Sequence, residues 1–107
     1  MEELMTVYKR ACESALQGNY ADALNDFIWL HDNPTIGVPS TESVRRAYGF
    51  LAWAALANKY PPALARMQEI LDLKRIHAGA HPQDAHAAAD IRAMEHALKT
   101  MGQTDQD

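Results

Sequence analysis

The sequence predicts an all-α chain, two stacked helical hairpins followed by a C-terminal capping helix. Three observations predict it. First, the stretch Ala15 to Asp32, ALQGNYADALNDFIWLHD, returns forty residues later as Ala55 to Asp72, ALANKYPPALARMQEILD. The copies match at Ala15/Ala55, Leu16/Leu56, Tyr20/Tyr60, Ala23/Ala63, Leu24/Leu64 and Asp32/Asp72, and a period in this range points to stacked helical hairpins. Second, apolar residues recur at spacings of three and four through most of the chain. Third, glycine and proline punctuate it at the intervals expected of helix ends.

Glu2 to Gln17 reads as the first helix, with Leu4, Tyr8 or Val7, Ala11, Ala15 and Leu16 on one side. Gly18-Asn19 ends it, glycine by adopting a left-handed conformation and Asn19 by capping the next helix. The second helix, Tyr20 to about His31, faces the first with Tyr20, Ala23, Leu24, Phe27 and Leu30. Trp29 lies off that face, to be covered by the following loop or a later helix, or else to anchor a partner.

Asp32 to Pro39 is a loop whose Ile36 and Val38 are expected to pack inward. Ser40 or Thr41 caps the third helix, which runs to about Lys59 with Tyr48, Leu51, Ala52, Ala55 and Leu56 inward. Phe50 and Trp53 widen its apolar band. Arg45 and Arg46 oppose the dipole at its start and therefore need carboxylates, either Asp26 or Glu42 or those of a partner.

Pro61-Pro62 opens the fourth helix, with Ala63, Leu64, Met67, Ile70 and Leu71 buried and Leu73 and Ile76 continuing the stripe to about His77, where Gly79 stops it. His81 or Pro82 opens a fifth through Thr100, with Ala87, Ile91, Met94, Leu98 and Met101 on one side. A polar outer face suits it to closing the end of a stack. The expected organisation is one domain over residues 1–102, with hairpins at 2–32 and 41–77, a loop at 32–40 and a cap at 82–101. Residues 103–107 form a polar tail expected to be disordered.

The paired hairpins resemble tetratricopeptide (TPR) repeats. Gly18, Tyr20, Ala23, Phe27 and Pro34 fit that pattern in the first unit, and Tyr60, Ala63 and Met67 in the second. Asn58 stands where the family has glycine, Val7 and Ala47 replace a tryptophan-type residue, and the spacing is forty rather than thirty-four. The resemblance implies a curved helical scaffold that binds a protein or peptide on the first helix of each hairpin, here through Met5, Tyr8, Lys9, Cys12, Arg45, Tyr48, Gly49 and Ala52. The asparagines with which the chaperone-binding subgroup clamps a terminal carboxylate are absent from those helices.

Composition narrows the function further. With 10 Lys+Arg against 14 Asp+Glu the net charge is −4, which argues against nucleic acid. No apolar run approaches the ~20 residues of a membrane span, and the start MEELMTVYKR lacks the pattern of a signal peptide. One cysteine, Cys12, allows no internal disulfide, so a cytoplasmic setting is expected.

No phosphate loop, nucleophile motif or catalytic carboxylate pair is present, so no enzyme and no cofactor are expected. His77, His81 and His86, with Asp84 or Asp90, are the one cluster that suggests a metal, but Gly79 and Pro82 interrupt them and no metal site is expected. The function expected is a non-catalytic protein-binding module, of which an inhibitor or immunity-type protein is one form. Its partner-binding residues are Tyr8, Lys9, Cys12, Trp29, Arg45, Arg46, Tyr48 and Trp53. The alternative is a homodimer or other homo-oligomer that buries Trp29, Phe50 and Trp53 between identical chains, and a further alternative is a metal-binding protein using His77, His81 and His86.

Overall fold

A computed structural model describes residues 3–35 and 37–102, and all regular structure among them is helical. The expected packing of Ile36 and the expected disorder of residues 103–107 fall outside the described residues. Helix α1 (Leu4–Leu16) turns into α2 (Tyr20–Asp32) through a three-residue link. Gly18 takes φ +83°, its amide reaches the Ala15 carbonyl, and the Asn19 amide reaches that of Ser14 at 2.8 Å. This is a Schellman closure, which glycine permits at no steric cost. The Asn19 side chain makes no cap, and instead donates to Gln17.

The third rod has three consecutive parts, α3 (Pro39–Ser43), a π-helical stretch Val44–Gly49, and α4 (Phe50–Ala57). It starts at Pro39 rather than at Ser40 or Thr41, because proline has no amide to leave unsatisfied in a first turn. Thr41 donates its hydroxyl back to the Val38 carbonyl. Val38 itself is 48% exposed and does not pack inward as expected.

The π-helical stretch changes which residues face the interior. An α-helix repeats its faces every three or four positions, whereas a π turn inserts one extra residue and rotates everything after it. Arg45 and Phe50, five apart, therefore lie on the same side, the guanidinium 5.4 Å from the ring centroid. The buried face runs through Arg45, Gly49, Phe50, Trp53, Ala54 and Ala57. Tyr48, expected inside from unbroken α-periodicity, is instead 58% exposed.

Helix α5 (Pro61–Ala80) follows from the two prolines and runs through Gly79, which sits inside it with helical geometry and does not terminate it. Leu73 and Ile76 do not continue the buried stripe but are exposed, Leu73 at a hollow it lines with His31, Lys74 and His86. Helix α6 (Ala85–Thr100) begins later than the His81-Pro82 expectation, since Asp84 is its cap and accepts the Ala87 amide at 3.0 Å.

The rods pack as a slab measuring 40 × 39 × 18 Å, about two helix diameters thick. α1 lies along α2, and the third rod touches α1, α2, α5 and α6. Trp53 is the centre of the core. It is fully buried, stacks on Phe27 at 6.5 Å and donates its indole N–H to the Ala63 carbonyl at 2.9 Å. Ala23, Ala54 and Ala63 around it are fully buried, and their small side chains let the backbones approach. In α1 the inward residue is Val7 rather than Tyr8, and Leu16 is exposed. Among the described residues no helix is long and apolar enough to cross a membrane.

Candidate functional site

Beneath the surface, the third rod is fastened to its neighbours by a buried ionic cluster. Arg45, 1% exposed, sends Nε to the Leu30 carbonyl at 2.9 Å and Nη2 to the His31 carbonyl at 2.8 Å. Two of the carbonyls that the end of α2 leaves without helical partners are thereby satisfied. The same guanidinium grips both oxygens of Asp90, at 2.9 and 2.8 Å. Asp90, wholly buried on α6, also receives Arg46 Nε at 2.9 Å and Lys74 Nζ at 3.1 Å. Burial alone would raise its carboxyl, but the hydrogen bonds and charge of Arg45, then Arg46 and Lys74, outweigh that and hold it far below the usual carboxylate range.

Glu42 completes the cluster, accepting from Arg45 at 3.4 Å, from Arg46 at 3.1 Å and from the Thr35 amide at 2.8 Å. Of the two internal carboxylates expected for the arginines, Glu42 serves, while Asp26 is taken by Arg10 at 2.9 Å. Asp90, which binds α6 to the middle of the molecule, was absent from that expectation. Its signal in the sequence was a lone acid on the apolar stripe Ala87, Ile91, Met94, which demands a buried cation.

Above this cluster the third rod and α6 part to leave a groove of about 680 Å³, lined mainly by apolar surface and including Tyr48, Leu51, Ala93 and His96 with Arg46 and Arg92 at its rim. A second hollow, about 290 Å³, lies between α1 and α4 and holds Cys12, Leu16, Ala52 and Lys59. A third lies along α1 at Tyr8, Lys9 and Cys12. The last two share Cys12, and Tyr8 of the third interacts electrostatically with Tyr48, which lines the first. Burial first, then Cys12 and Tyr48, push the Tyr8 phenol upward.

The eight residues expected to meet a partner divide accordingly. Tyr8, Lys9, Cys12, Arg46 and Tyr48 share this face. Arg45 and Trp53 do not belong to it, since both are fully buried, one neutralised by Asp90 and the other filling the core. Trp29 is half-buried against the core. Arg92, Ala93 and His96 were missed because the last helix read as a cap, and only the tertiary pairing turns its flank toward Tyr48.

The histidines do not converge. His77 bonds Asp84 at 2.8 Å and lies 4.6 Å from the His81 ring, while His86 faces Glu42 at 3.4 Å. Among the described residues no three His, Cys, Asp or Glu side chains are placed to hold a metal. His31 Nδ1 donates to Asp32 Oδ1 at 2.8 Å, and among the described residues its Nε2 is buried without a partner. Burial, with Lys74 and Arg45 nearby, pushes its imidazole below the ordinary value against the opposing pull of Asp32.

No family model, curated protein or solved structure matches the chain.

Proposed function

We propose that the chain is a non-catalytic protein-binding module that seats a partner across the face formed by α1, the third rod and α6. The observation that carries this reading is the apolar groove beside Tyr48, an aromatic residue left 58% exposed at the rim of a cavity large enough to bury a side chain or a short helix. Exposed tyrosine next to arginine is the composition that dominates binding energy at interfaces. The resemblance to TPR proteins favours the α1 and third-rod part of this face. It is supported by the shared burial of Ala23 with Ala63, Phe27 with Met67 and Leu30 with Ile70, and by the Tyr20 and Tyr60 rings meeting at 5.8 Å. An inhibitor or immunity-type role in the cytoplasm is one form of this reading, by analogy of size and charge.

A photo-crosslinking residue placed at Tyr48, and in a second variant at Leu73, exposed on α5 at a separate hollow, tests it. In cells that encode the protein, one adduct of defined mass should form from position 48 and none from position 73. Adducts of the chain with itself would favour the homo-oligomer instead, and equal labelling from both positions would refute the assignment of the face.

A further inference from the structure

The charges on the binding face differ in sign from those of the chain as a whole. The molecule carries −4, and its carboxylates are largely spent on internal pairs such as Asp26 with Arg10, Glu69 with Arg66, and Glu95 with Arg75. Lys9, Lys59 and Arg92 line these three hollows, and among the described residues none of their side chains makes an ion pair or hydrogen bond. Of the described carboxylates that line these hollows, Glu42 is held by Arg45 and Arg46, and Glu13 is unpaired. An acidic protein thus presents a cationic rim around an apolar strip.

Resting on the proposed binding role, we infer that the occupant is an acidic amphipathic helix of another protein. Its apolar stripe enters the groove at Tyr48, Leu51 and Ala93, and its carboxylates meet Arg92 and Lys9. The geometry suits a helix rather than an extended strand, because the groove runs between two helices and a bound helix brings its own backbone bonds already satisfied. About fourteen residues, roughly 21 Å at the rise of an α-helix, would span about half of a slab face 39 Å wide. Complementary charge at the rim governs encounter and partner choice, so binding should weaken as salt rises.

Three labelled synthetic helices provide the test by fluorescence anisotropy with the full chain. One carries Leu and Phe at i, i+3, i+4 and i+7 with Glu elsewhere, the second replaces each Glu by Lys, and the third keeps Glu but replaces the apolar residues by Ser. The first should bind at least tenfold tighter than either of the others, and raising salt from 50 to 300 mM should weaken it severalfold. Arg92→Glu with Lys9→Glu, and separately Tyr48→Ala, should each lower affinity about tenfold, whereas Gln68→Lys on α5 should not. These residues are exposed or at a rim, so unchanged circular dichroism accompanies the expected result.

Equal binding of the acidic and basic peptides, lost in Tyr48→Ala, would overturn the charge assignment and leave the binding face standing. Failure of all three peptides, or acidic binding indifferent to Tyr48 and Arg92, would overturn the inference. So would a dimer in sedimentation that Tyr48→Asp dissociates, because the face would then be occupied by a second copy.

Discussion

Replacing Asp90 with asparagine changes almost no volume and removes one charge, so it isolates what the buried cluster contributes. In the parent, Asp90 takes two bonds from Arg45, one from Arg46 and an ion pair from Lys74. In the variant Arg45 and Arg46 keep Glu42, Lys74 loses the carboxylate it pairs with, and Arg45 is held at 1% exposure. Removing one partner of a buried pair costs about 3–5 kcal/mol, chiefly because the remaining charge stays desolvated. For 107 residues the unfolding entropy is roughly 0.2 kcal/mol/K, so about 4 kcal/mol lowers Tm by nearly 20 °C. Thermal melts followed by circular dichroism at 222 nm measure it directly. The same substitution in an Arg45→Met background should cost markedly less, since the stranded charge is gone. A Tm for Asp90→Asn within about 3 °C of the parent would refute the reasoning.

Two further perturbations address the same region. Gly49 lies in the π-helical stretch with ordinary helical φ, and a Cβ there would meet Val44 O at 3.4 Å and Leu30 Cδ1 at 3.5 Å, both tolerable. Gly49→Ala should therefore stabilise by about 0.5–1 kcal/mol in urea unfolding, while Gly49→Val, with branches directed at Leu30, should destabilise by roughly 1–3 kcal/mol. Because His31 is held neutral by burial, the unfolded chain takes up a proton before the folded one as pH falls. Stability present above about pH 6.5 should decline below it, and His31→Gln should flatten that part of the urea-midpoint profile. The contribution of Asp90 has the other dependence on range. It is present above about pH 4, the unfolded carboxylate value, and is lost only on further acidification.

The sequence by itself determined that the chain is helical and where most rods begin and end. Helix periodicity, Gly18, and the Pro61-Pro62 pair are local signals, and local signals suffice when the structure they encode is closed by bonds within four residues. It also named the small and bulky residues of both hairpins, Ala23, Phe27, Ala63 and Met67, all of which are buried.

The tertiary structure alone decided which side of the third rod faces inward. A π turn is stabilised by what it brings together, here Arg45 with Asp90 forty-five residues away and with two carbonyls at the end of α2. No periodic reading of VRRAYG contains that information. Tyr48, inside that π-helical stretch, faces outward and lines one groove with Arg92, so the candidate binding face depends on contacts made far along the chain.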